Sequence, residues 1–219
     1  MPKEYEITYR TENHYDNWVH DAYWQFLIIP MENNGQYEVD IEFSNSLFAN
    51  IEYSINGYGF KTIRVHPKKK FKHISFEAKF QFKKEEVDPY NFKINPDISV
   101  EYSELDHIDF KINFERFLKF TSNTKLKKSQ EHLFLFDRTI SIFENLKELN
   151  NWIFQNIKFK AGVTNVDTML NDVILKKQGV CQDFAHLFCA LARANGIPTR
   201  YISGYLDQNS GYLGDSQMH

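Results

Sequence analysis

The sequence predicts an α+β chain: an N-terminal antiparallel β-sandwich followed by a helical α+β domain. Two observations carry this. Apolar and polar residues alternate in short runs between Tyr5 and Phe82, the period of half-buried strands. From Ile140 onward, apolar residues recur every three or four positions, the period of amphipathic helices.

The strand runs come first. Tyr5, Ile7 and Tyr9 alternate with polar residues, as do Tyr37, Val39, Ile41 and Phe43. The clearest run is Ile74, Phe76, Ala78, Phe80 and Phe82. Turn signals separate the runs at Asn33-Asn34-Gly35, Asn56-Gly57 and Gly59. Short strands with such turns point to a small sandwich. Residues 83–118 lose periodicity and contain Pro89 and Pro96, so they read as a connector. The expected boundaries are a β domain with its connector at 1–118 and a second domain at 119–219.

In the second domain, Ile140, Phe143, Leu146, Asn150, Ile153 and Ile157 mark one helical face. Thr164 and Asp167 resemble a capping box, ahead of a helix lined by Val166, Met169, Leu170, Val173 and Ile174 and ended near Gly179. A third helix begins at Cys181 and buries Phe184, Leu187, Phe188 and Leu191. Gly196-Ile197-Pro198 stops it, and Tyr201 to Leu206 reads as a strand.

Composition narrows the function. Of 219 residues, 42% are apolar, enough for a core in one large or two small domains. Twenty Phe and twelve Tyr favour strands and broad packed faces. The net charge of -3 gives no footprint for nucleic acid. The runs Lys68-Lys69-Lys70 and Lys125, Lys127 and Lys128 read as solvated turns rather than docking patches. The N-terminus lacks the apolar segment of a signal peptide, and no apolar run approaches the ~20 residues of a membrane span. A cytoplasmic protein without a membrane partner is expected. The only cysteines, Cys181 and Cys189, stand roughly 12 Å apart along one helix at about 1.5 Å per residue, too far for a disulfide. Two free thiols suit a reducing compartment.

Cys181 is the candidate nucleophile. The first N–H groups of a helix lack internal partners, and the helix dipole adds positive charge there. Both favour a thiolate, and the same N–H groups can receive an oxyanion. Gly179 would let backbone approach a substrate closely. A small buried thiol is the alternative reading, and it is the preferred one for Cys189, in mid-helix beside Phe188. His186 lies five residues on, a rotation of roughly 140° at about 3.6 residues per turn, and so points elsewhere. His219, in a separate segment, is the candidate base. A zinc site from Cys181, His186 and Cys189 fits no common spacing, so no metal or cofactor is expected.

The stretch GVCQDFAHLFCALARANGIPTRYISGYL, Gly179 to Leu206, resembles the core of bacterial transglutaminase-like proteins, a family often described as cysteine proteases. FKAGVTNV, from Phe159 to Val166, looks like that family's lead-in, with Phe159 where an aromatic hydroxyl is common. The first hundred residues resemble the β domain that often precedes the core. The resemblance implies a papain-like/transglutaminase-like α+β core and a Cys-His-Asp triad. Cys181 matches the nucleophile and His219 the histidine, while no residue matches the Asp, which follows the histidine in the family. The core therefore reads as truncated at its C-terminus, and weak activity is expected of this piece. A fold without its last strands would expose unpaired sheet edges. The implied function is thiol-dependent acyl transfer on peptide or amide bonds, with a peptide or protein substrate and hydrolysis as the outcome. The alternatives are an amine-accepting transglutaminase and a non-catalytic binding module that keeps the fold. Oligomeric state is not readable.

Overall fold

A computed structural model describes residues 2–88, 90–94, 97–165 and 168–205. The chain forms two compact units, Met1–Asn91 and Phe92–His219.

The first unit holds six strands: β1 (Lys3–Val19), β2 (Trp24–Phe26), β3 (Gln36–Asn45), β4 (Ile51–Ile55), β5 (Lys61–Val65) and β6 (Phe71–Lys84). They make two three-stranded antiparallel sheets, ordered β1-β6-β3 and β2-β5-β4. Alternation along β6 sends Ile74, Phe76, Ala78, Phe80 and Phe82 into the interior, each at most 8% exposed. Phe76 packs on Trp24 and Phe26 of the opposite sheet, with ring centroids 5.2 and 4.8 Å away, and Phe43 meets Phe26 at 5.4 Å. These contacts join the sheets as the expected sandwich. Asn56 closes the β4–β5 turn, its side-chain oxygen accepting from the N–H groups of Tyr58 and Phe60, and Gly59 supplies a φ of +83°.

The second unit differs from the expected pattern at its start. The supposed connector is helical: α1 (Ile98–Asp106), α2 (Ile108–Asn113) and α3 (Glu115–Leu118). These helices belong to the second unit, whose core includes Tyr102 and Leu105. The chain thus divides at residues 91–92, where the sequence suggested 118. Asp97 starts α1 by accepting from the Ser99 N–H at 3.0 Å. α1 is short and weakly amphipathic, which is why periodicity did not reveal it.

Helix α4 (Ile142–Asn156) is capped by Ser141, which accepts from the Glu144 N–H. Its buried face is Asn145, Leu149 and Ile153, followed by Ile157. Asn150, assigned to that face from the sequence, is exposed. Asn145 is buried because it binds backbone. Its oxygen accepts from the Asp137 N–H at 2.8 Å, and its amide donates to Asp137 O at 2.8 Å, Ser141 O at 3.2 Å and the Tyr102 hydroxyl at 2.8 Å.

A short parallel pair, β7 (Lys158–Phe159) and β8 (Gln178–Gly179), brackets α5 (Leu170–Lys176). Helix α5 starts later than Thr164 suggested. Met169 is its N-cap and is exposed, while Leu170 and Val173 are buried. Val166 and Asp167 lie outside the described residues. Lys177, not Gly179, takes the left-handed position after α5. Helix α6 (Cys181–Ala194) buries Leu187 and Leu191 completely. It ends as expected at Gly196, with φ +81°, where Gly196 N–H donates to Arg193 O and Ile197 N–H to Ala192 O. Residues 201–205 form no strand, and Leu206 lies outside the described residues. Arg193 ties the turn after α6 to α3. Its guanidinium donates to Thr199 O at 2.6 Å, Phe117 O at 2.9 Å and Lys119 O at 3.2 Å.

Candidate active site

Strand β8 delivers the chain to the start of α6, with Val180 as the N-cap and Cys181 as the first helical residue. Two bonds anchor β8 to its partner: Lys158 N–H to Lys177 O and Lys160 N–H to Gly179 O, both 2.9 Å. Cys181 is exposed and free, and Cys189 is free but buried.

The turn before Cys181 is held by Asp183, 8% exposed. Its Oδ2 accepts from the Val180 N–H at 2.7 Å and from the Thr164 hydroxyl at 2.8 Å. This is the acid half of a capping box, since a valine cap offers no side-chain acceptor in return. The N–H groups of Asp183 and Phe184 both donate to Val180 O. Among the described residues, the Cys181 and Gln182 N–H groups have no acceptor, so the open end of the helix lies at the sulfur. Thr164, read as a cap for a later helix, serves this turn instead.

Gly179 has a role that differs from the one inferred from sequence. A Cβ built there would lie 2.7 Å from Asp183 Oδ2 and 2.8 Å from Asp183 Cβ. The glycine makes room for the capping carboxylate, and Gly179 is itself buried.

Further along α6, His186 stacks on Tyr201 with ring centroids 4.9 Å apart. Its Nε2 lies 3.4 Å from the Gln182 amide, and among the described residues its buried Nδ1 has no hydrogen-bond partner. Burial pulls the His186 imidazole below its ordinary range; Asp183 opposes this and Arg193 reinforces it. It is a packed histidine. Burial pushes the Cys189 thiol up. The Tyr201 phenol is also raised, first by burial and then by negative charge at Cys189 and Cys181. His219 lies outside the described residues.

Asp183 and Tyr201 were missed as site residues in the sequence. An acid three residues past a helix cap is a readable signal for Asp183. For Tyr201 there was none, because its place depends on the turn that Arg193 fixes.

An exposed thiol thus stands at the open start of a helix that packs on the core of the second unit. Residues 137–219 match the family model of the transglutaminase-like superfamily. Residues 137–219 therefore carry a transglutaminase-like domain. The chain is similar over 65 residues, at 43% identity, to uncharacterized proteins of Mycobacterium bovis and Mycobacterium tuberculosis, over 30% of this chain and 21% of theirs. An uncharacterized protein of Mycobacterium leprae is 44% identical over 55 residues, 25% of this chain and 20% of that protein. The match thus spans about a fifth of these relatives' length. In fold, the chain is similar to a crystal structure described as a "Putative Cysteine Protease from Cytophaga hutchinsonii", with TM-score 0.73 and 19% identity, over 100% of this chain and 71% of that one. Among the described residues, no helix is long and apolar enough to cross a membrane.

Proposed function

We propose that this protein performs thiol-dependent acyl transfer on peptide or amide bonds, with hydrolysis as the outcome. The observation that carries the reading is the exposed Cys181 sulfur at a helix start whose cap leaves two N–H groups open.

In this mechanism, the Cys181 thiolate attacks the amide carbonyl, and a C–S bond forms as the C=O π pair moves onto oxygen. The Cys181 and Gln182 N–H groups stabilise that oxyanion. Collapse breaks the C–N bond, and His219, which took the thiol proton, returns it to the leaving amine. Water then attacks the thioester, gives a proton to His219 and frees Cys181 as a carboxylic acid departs. An amine in place of water would make the same chemistry a cross-linking reaction. Asp183 is a positioning residue, because both of its bonds hold the turn.

The test is to trap the thioester. The chain is incubated with a library of activated peptide amides and esters, quenched in acid and mapped by mass spectrometry. Acyl adducts on Cys181 that turn over to acid, and that vanish in Cys181→Ala, are expected. Adducts that never turn over, or none at all, would favour the binding-module reading, and transfer to an added amine in preference to water would favour cross-linking.

A further inference from the structure

Among the described residues, one group of metal-ligating side chains converges: Glu12, His14 and His73, all exposed, on the first unit. Strand geometry brings them together. Glu12 and His14 are two apart on β1 and share its outer face. The ladder pairs His14 directly with His73 on β6. Their rings lie 4.3 Å apart between centroids, inclined at 31°. Glu12 Oε2 is 3.4 Å from His14 Nε2 and 3.8 Å from His73 Nε2, and the three donor atoms all fall within 4.8 Å of one another.

We propose that Glu12, His14 and His73 bind a divalent transition-metal ion of the zinc class on the outer face of the sandwich. A zinc ion takes nitrogen and oxygen ligands at about 2.0–2.2 Å, so donors around one ion stand roughly 3.3 Å apart. Reaching that spacing needs only modest turns of exposed side chains on a fixed ladder. Two imidazoles and one carboxylate suit zinc and its neighbours better than calcium or magnesium, which prefer oxygen. The carboxylate is available, because Arg10, the next cation along this face of β1, is engaged by Glu77.

The position also gives the ion a structural role. The β1–β6 register is regular from Lys3 to His14 and shifts between His14 and Val19. A metal held by His14 and His73 would tie edge strand β1 to central strand β6 where that regular pairing ends. The bland alternative is a cross-strand polar cluster with weak ion pairs, which would not select among metals.

The test uses the untagged chain in a Cys181→Ala background, which removes the exposed thiol as a competing ligand. Zinc, cobalt and calcium are titrated separately by calorimetry, and melting is followed with and without zinc. One zinc per chain and a higher melting temperature are expected, with no response to calcium. His14→Ala and His73→Ala should each weaken zinc binding about tenfold or more, about 1.4 kcal/mol per decade. Glu12→Gln should weaken it less. Unchanged far-UV circular dichroism would show that these surface variants still fold. Zinc uptake that the double histidine variant leaves intact would overturn the proposal. So would the absence of binding at about 100 µM zinc, a concentration that saturates any micromolar site.

Discussion

The two units are held together in different ways. In the first, β6 carries the core on alternate residues, and Phe76 and Phe80 are fully enclosed by other apolar side chains. In the second, polar side chains reach into the interior and bind backbone. Asn145 fastens residues 137–141 to α4, Arg193 fastens the turn after α6 to α3, and Asp183 fastens the turn before Cys181. A sheet satisfies its backbone through its ladders and needs only apolar filling. Loops gathered around a helix leave N–H and C=O groups that only side chains can reach. The thiol follows one of these fastened turns, so its placement depends on the Asp183 carboxylate.

Core truncation should have the largest effect. Phe76→Ala is expected to lower stability by about 4 kcal/mol in urea unfolding, through lost transfer energy and a cavity among Trp24, Phe26 and Phe43. A loss under about 1 kcal/mol would mean that the sandwich is packed more loosely than described. Asn145→Ala should cost about 3 kcal/mol, because it strands the Asp137 N–H and removes a partner of the Tyr102 hydroxyl. If Asn145→Leu proved as stable as the parent, the polar fastening of the second unit would be ornamental.

Gly179→Ala should come next, at about 2 kcal/mol by overpacking, since its new methyl meets the Asp183 carboxylate. Its melting temperature should fall less than that of Asn145→Ala, while Cys181 reactivity falls more. That split would separate fastening of the site from fastening of the fold.

The smallest effect is one of pH. The folded His186 imidazole is held below its ordinary 6.5, mainly by burial, so the unfolded chain binds that proton more readily. Stability from this group is present above about pH 6.5 and declines as pH falls below it. His186→Phe should flatten the denaturant midpoint against pH through that window. An unchanged slope would place the acid sensitivity elsewhere.

The strands were legible because one physical rule, burial on one face, leaves a period-two trace; β6 follows it from Ile74 to Phe82. Helix α6 was legible at both ends, with Gly196 at its stop and Cys181 at its start. Helices α1 to α3 were not, since they are short and mostly exposed. Asn150 was mistaken for a buried position by its spacing between Leu146 and Ile153, whereas Asn145, five residues earlier, is buried for a reason that hydropathy does not encode. The place of Cys181 could be read from the sequence, and Asp183 left a signal as an acid three residues past the cap; the contact between Gly179 and Asp183 left none, because the two meet only through the turn itself.

The turn capped by Asp183 presents an exposed Cys181, and the proposed chemistry requires that this thiol be reactive. Time-resolved iodoacetamide labelling with intact-mass and peptide readout tests it, with buried Cys189 as the internal control. Cys181 should label at least about tenfold faster than Cys189, with that advantage sharply reduced in Asp183→Ala and largely kept in Asp183→Asn. Equal labelling of the two cysteines in the parent chain, or an Asp183→Ala variant that labels as fast as the parent, would contradict it.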